Sequence, residues 1–156
     1  MNVQCQKEIS NILDCVMRDI TGRMVEIRLC EPEKTLSGDI CTVETTFEGG
    51  YHGTLRLAAD TALMTRLTRQ VMEAEEVAPQ DVEDFAKEYF NVICGHFVAR
   101  LFQRTKVPAR FRIPVFSTQR REDKPETDRE QLVLNYTNAY HEGARLIHQP
   151  LHSDAT

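Results

Sequence analysis

The sequence predicts an α+β domain in which helices pack on an antiparallel sheet, with strands both before and after a central helix pair. Two observations carry this. Apolar residues recur at three- and four-residue spacing in three stretches, and between and after those stretches the period changes to two, with Val, Ile and Thr enriched. The chain has 156 residues, 41% hydrophobic and 28% charged, enough to bury a core without disulfide or metal staples.

The first helix is marked by Ile9, Ile12, Leu13, Val16, Met17 and Ile20, with Gly22 placed to close its C-terminal end. Strands are predicted at Met24–Leu29, Ile40–Phe47 and Gly53–Leu57, the Gly49-Gly50 pair turning the second into the third. Asp60 is the predicted N-cap of a second helix carrying Leu63, Met64, Leu67 and Val71, which the stretch Glu73–Gln80 ends. Asp81 is the predicted cap of a third helix, with Asp84 in a near capping-box position; it runs to about Thr105, and Pro108 prevents much further extension. Strands follow at Phe111–Phe116, Gln131–Thr137 and Ala144–Gln149. The charged stretch Thr118–Glu130 has no apolar anchor and reads as a mobile hairpin connection. Residues 1–151 form one predicted domain, and 152–156 a short polar tail expected to be disordered.

A net charge of −5 argues against a general nucleic-acid or anionic-membrane binder, both of which favour a basic surface. No apolar run is long enough to span a bilayer, and the N-terminus lacks the blocks of a signal peptide. The five cysteines are odd in number and include no Cys-x-x-Cys pair, so reduced thiols in a cytoplasmic protein are expected.

The third helix carries the candidate chemistry. At a hundred degrees per residue, Ala86, Tyr89, Phe90, Ile93, Cys94, Phe97 and Leu101 share one broad face, which must be buried. Asp84, Glu88, Asn91 and Gly95 cluster opposite. Glu88 and Asn91, one turn apart, point outward together. A glycine inside a helix costs about 0.5–1 kcal/mol relative to alanine. Gly95 therefore either packs under another element or lets a partner approach the backbone. Asp81, Glu83 and Asp84 also suit the helix N-terminus electrostatically. The five histidines are scattered and suggest neither a metal site nor a general base.

The run Glu88-Tyr89-Phe90-Asn91-Val92-Ile93-Cys94-Gly95 resembles the Glu-x-x-Asn-x-x-x-Gly helix motif of the CheC/CheX/FliY family of chemotaxis response-regulator phosphatases. Gly50–Leu57 resembles that family's glycine-flanked strand, Val107–Ser117 the proline-containing strand after the motif, and Arg18–Gly22 the end of the opening CheX helix. The resemblance is closer to CheX than to CheC, which carries two such motifs. Here Glu8 and Asn11 repeat the spacing in the first helix, but Cys15 stands where the glycine belongs.

The resemblance implies a CheC/CheX-like fold and hydrolysis of the aspartyl-phosphate of a CheY-like response regulator. Asn91 would position the attacking water and Glu88 would pair with the regulator's lysine. Gly95 and Asp84 would contribute to docking. No cofactor of the chain's own is implied; Mg²⁺ would sit in the partner. A homodimer paired through exposed strand edges is also implied, as is an alternative in which the chain binds a receiver domain or flagellar-switch component without catalysis. One departure is Tyr89-Phe90, where the family commonly has small or aliphatic residues; Phe90 at the rim would narrow access to Asn91.

Overall fold

A computed structural model describes residues 3–30, 36, 38–119 and 131–151. The elements follow in the order α1 (Val3–Thr21), β1 (Arg28–Leu29), β2 (Ile40–Gly49), β3 (Gly53–Asp60), α2 (Thr61–Met72), α3 (Pro79–Thr105), β4 (Ala109–Phe111), β5 (Val115–Gln119), β6 (Leu132–Thr137) and β7 (Gly143–Pro150). The strands form one antiparallel sheet in the order β1-β6-β7-β3-β2, with β4 and β5 lying end to end along the far side of β2. The α+β class, the antiparallel sheet and the central helix pair are as the sequence predicts. Most of the connection and all of the tail read as mobile and disordered, at 120–130 and 152–156, lie outside the described residues.

Register explains why the helices share one face. Val43 pairs with Leu57, Leu57 with Leu146 and Leu146 with Leu134, so these side chains point the same way across four strands. They join the same cluster as Ile12, Leu13 and Val16 of α1, Met64 and Leu67 of α2, and Phe90, Ile93 and Phe97 of α3. The opposite face is mixed: Ile40, Ala58 and Ile147 are buried there beside polar pairs, in which Arg145 Nε donates to Asn135 Oδ1 at 2.8 Å and the Thr42 and Ser117 hydroxyls meet at 2.5 Å.

Several boundaries differ from the expected ones. β1 is confined to Arg28–Leu29 because the N–H groups of Met24 and Val25 turn back onto the Thr21 carbonyl, each at 2.9 Å, and cannot join a ladder. Asp60 does precede α2, but its carboxylate accepts the Gly143 N–H at 2.7 Å instead of capping the helix, which ties the start of α2 to β7. Val71 is 55% exposed; Thr68 takes the buried position, its hydroxyl donating to the Met64 carbonyl. α3 begins earlier than expected, at Pro79 after the N-cap Ala78, so Asp81 acts from inside the first turn by accepting the Ala78 N–H at 2.9 Å.

The strand expected at Phe111–Phe116 is two strands. β4 pairs Phe47 with Phe111, while β5 pairs Glu44 with Val115, a slip of one residue along β2. Such a slip is a β-bulge, and Pro114, which has no N–H to offer a ladder, sits within it. The β2–β3 turn is braced from the same side: Gly49 adopts φ 105°, and the Gly50 N–H donates to the Pro108 carbonyl at 2.8 Å.

An aromatic group joins these parts. The Phe47 ring lies 5.1 Å from Phe97 and 6.2 Å from both Tyr51 and Phe111, and Tyr51 stacks on His148 at 5.7 Å. His148 is buried and hydrogen-bonds the Tyr51 phenol through Nε2; burial pushes its pKa down to about 4. An unfolded histidine titrates near 6.5. Between these values the unfolded chain binds more protons, so this contribution to stability is complete above about pH 6.5 and is lost as pH falls towards 4. The shift corresponds to about 3 kcal/mol. Urea midpoints should therefore drop across this window, and His148→Gln, which keeps a polar partner for Tyr51 without titrating, should remove most of the drop. An equal drop in that variant would assign the effect to other groups.

Candidate functional site

α3 is long enough, about 40 Å at 1.5 Å per residue, to be held at several points while one side stays bare. Its buried residues are Val82, Ala86, Tyr89, Phe90, Ile93, Cys94, Phe97 and Leu101, which include every side chain the helical angles assign to the core. Glu88 and Asp84 are exposed on the opposite side, and Asn91 and Gly95 are half-buried beside them. The four residues thus share one stripe.

Within that stripe the side chains differ in how free they are. The Asp84 carboxylate accepts a hydrogen bond from Gln80 Nε2 at 2.9 Å, one turn nearer the helix start. Neither the Glu88 carboxylate nor the Asn91 amide has a hydrogen-bond partner among the described residues, so both are available to an incoming molecule. A Cβ added to Gly95 would meet nothing within 4 Å among the described residues. Of the two explanations for this glycine, packing under another element of the chain therefore has no support.

Tyr89 and Phe90 do not disturb the stripe. Phe90 is 0% exposed and so does not reach the rim beside Asn91. Tyr89 points to α1: its hydroxyl meets that of Thr21, its oxygen lies 3.9 Å from Met17 Sδ, and its ring stacks on Phe85 at 5.6 Å. Burial pushes the Tyr89 phenol up to about 12, and raises the Cys94 thiol as well, so neither group ionises near neutrality. Three turns on, Arg100 forms an ion pair with Asp19. The stretch from Asn91 to Gly95 is therefore bracketed by two attachments to the last turn of α1.

On α1, Asn11 is exposed and Glu8 half-buried, and Glu8 lines a small apolar cleft with Ile9, Tyr51, Leu101 and Val107. Cys15, at the glycine position, is exposed. Among the described residues, no group of three or more His, Cys, Asp or Glu could hold a metal ion, and no helix is long and apolar enough to cross a membrane.

Sequence reasoning left one side chain of this surface unread. Phe102, 48% exposed, follows Asp84 by about five helical turns and so returns to the same stripe. The helical angle that singles out Glu88 and Asn91 also contained this signal.

A family model described as "Chemotaxis phosphatase CheX" matches residues 41–137, more than half of the chain. Similar solved structures include chemotaxis protein CheX from Vibrio vulnificus, with TM-score 0.73, 14% identity, and 96% of this chain and 99% of that one covered. The CheX–CheY–BeF3–Mg complex from Borrelia burgdorferi gives TM-score 0.63 at 15% identity, covering 92% and 95%. FliY of Thermotoga maritima gives TM-score 0.60 at 15% identity, covering 95% and 90%. At these identities the likeness establishes the fold. No curated protein sequence gives a significant match.

Gly95→Ala should stabilise the isolated chain by about 0.5–1 kcal/mol, because the added methyl meets open space and helix propensity improves. Chemical denaturation would measure this; destabilisation would show that the glycine serves the chain's own packing.

Proposed function

The chain belongs to the CheX family, and on that footing we propose that it hydrolyses the aspartyl-phosphate of a CheY-like response regulator in chemotaxis-type signalling. The observation that carries this reading is Gly95: a helix-interior glycine with nothing to accommodate among the described residues, on the same stripe as a carboxylate and an amide that have no partner among them. A stripe of this kind suits close backbone approach by another molecule, with Glu88 and Asn91 beside the point of contact.

The chemistry asked of the two residues is modest. An acyl phosphate is already activated, and the Mg²⁺ that neutralises its charge would belong to the receiver's own acidic pocket. What remains is to hold a water in line with the breaking P–O bond, and for phosphoryl transfer positioning and electrostatics supply most of the catalysis. In this reading the Asn91 amide enters the pocket and fixes the water, accepting through its oxygen and donating through its nitrogen. The water oxygen bonds to phosphorus, the bond to the aspartyl oxygen breaks, and inorganic phosphate leaves a free carboxylate on the receiver. Glu88 pairs with the receiver's lysine in a charge-assisted contact that sets the register of α3. Asp84 adds negative potential one turn earlier.

A cytoplasmic homodimer belongs to the same reading. Of the two sheet edges, β1 is two residues long and the β4–β5 run is interrupted by a bulge and Pro114, so each offers only a short pairing template.

The test is phosphate release from a phosphorylated receiver. Asn91→Ala should lower turnover by about a hundredfold or more while binding persists, the scale expected when a positioning group is lost. Glu88→Ala should act mainly on affinity, and Gly95→Leu should block docking without unfolding the chain. A wild-type chain that binds the phosphorylated receiver but leaves its phosphate lifetime unchanged would establish a non-catalytic binding module instead. Turnover surviving in Asn91→Ala would remove Asn91 from the mechanism.

A further inference from the structure

We propose that the buried pair of hydroxyls on Tyr89 and Thr21 sets the rotation of α3, and with it the reach of the Asn91 amide. Both are positioning residues, an assignment that rests on the hydrolysis proposed above and adds to it the contact that keeps the water-orienting group on target.

Tyr89 occupies the turn of α3 between Glu88 and Asn91 and points the opposite way, into the core. Its ring lies nearly parallel to that of Phe85, with 10° between the planes and 5.6 Å between the centres, so it is oriented from within its own helix. The Tyr89 and Thr21 hydroxyls meet, and Met17 Sδ lies 3.9 Å from the first and 3.8 Å from the second. Tyr89 is 5% exposed and Thr21 1%. Thioether sulfur is a weak acceptor, so each hydroxyl depends chiefly on the other.

Thr21 is a fixed point. It ends α1, and its carbonyl accepts the N–H groups of Met24 and Val25, each at 2.9 Å. α1 is itself tied to the sheet through Asp14, which accepts the Tyr136 hydroxyl at 2.7 Å and Arg18 Nε at 3.0 Å. A line of contacts thus runs from β6 through α1 to the turn that carries Glu88 and Asn91. Among the described residues, side chains of α3 reach another helix or strand by hydrogen bond or ion pair only at Tyr89 and Arg100. The Arg100–Asp19 pair is open to solvent and lies more than two turns beyond Asn91.

Apolar packing seats a helix without indexing it, because the hydrophobic effect has no direction. A hydrogen bond weakens steeply with distance and angle. Side-chain atoms stand about 5–6 Å from a helix axis, so turning α3 by about 15° moves them about 1.5 Å. That displacement breaks the hydroxyl pair, and a misplacement of about 1 Å costs a positioned reaction about a hundredfold. The pair therefore responds over the same range of rotation as the chemistry. Phe at 89 against Val at 21 would fill nearly the same space without desolvating two oxygens, so packing by itself gives no reason for them.

The test pairs kinetics with stability, using a purified phosphorylated CheY-like receiver and urea midpoints. Thr21→Val and Tyr89→Phe each strand one hydroxyl and should lower the midpoint, whereas the double variant removes both and should return towards wild type. Its kcat should nevertheless stay about tenfold low, part of the loss expected when a reacting group is held loosely. KM, and affinity for the receiver charged with beryllofluoride and Mg²⁺, should change less than about twofold. Thr21→Ser keeps the hydroxyl and should keep kcat. In the free chain, the NMR signals of the Asn91 side-chain amide should broaden in the double variant and stay sharp in wild type and Thr21→Ser. Wild-type kcat in the double variant, a kcat that falls only as far as the folded fraction falls, or a Thr21→Ser chain as slow as the double variant overturns the pair. A wild-type chain that binds the receiver without hydrolysing overturns the phosphatase reading and leaves the amide signals to decide: broadening in the double variant keeps the pair, and unchanged signals overturn it too.

Discussion

The seating of α3 on the sheet is the contact on which the rest of the molecule depends. Phe97 reaches down to Phe47 of β2, and through Phe47 to Tyr51 and Phe111. A helix can leave one stripe bare to solvent only if its opposite face is filled well enough to fix both its rotation and its height. Eight buried residues over six turns achieve this. Glu88 and Asn91 therefore need no side-chain contacts of their own to be held in place, and the water-orienting role proposed for Asn91 would benefit from that freedom.

Rotation is fixed a second time at α1. Tyr89 and Arg100 both attach to the last turn of α1, at Thr21 and Asp19, on either side of the stretch from Asn91 to Gly95. α1 is in turn held to the sheet, where the Tyr136 hydroxyl donates to Asp14 at 2.7 Å. Solvent screens the exposed Arg100–Asp19 pair, so its part is geometric more than energetic. The Tyr89 contact is buried, and there the loss of a partner would strand a hydroxyl in an apolar setting.

What was legible in the sequence was whatever depends on local period. The buried face of α3 follows from helical angle alone, and so does the outward stripe, because both are properties of a single long element. Two of the misplaced features involve a contact from far along the chain. Nothing local shows that the Asp60 carboxylate serves Gly143, since the sequence pattern before α2 is that of an ordinary N-cap. The β4–β5 slip arises because one continuous apolar run must follow β2 past Pro114. The inward turn of Tyr89 was legible by angle, but its partner Thr21, buried at 1% exposure, was not.

Tyr89 and Phe90 illustrate how a departure in sequence is absorbed by the fold. Between two outward residues one turn apart, both intervening positions point inward, so large side chains there add to the core and leave the stripe unchanged. Larger inward residues stiffen the turn that carries Glu88 and Asn91, because each ring has more neighbours to displace before the backbone can rotate. Catalysis by positioning loses about a hundredfold for a misplacement of 1 Å, so stiffness in this turn favours the chemistry proposed for it. The aromatic pair that first looked like an obstruction between Glu88 and Asn91 instead braces the turn from which they project.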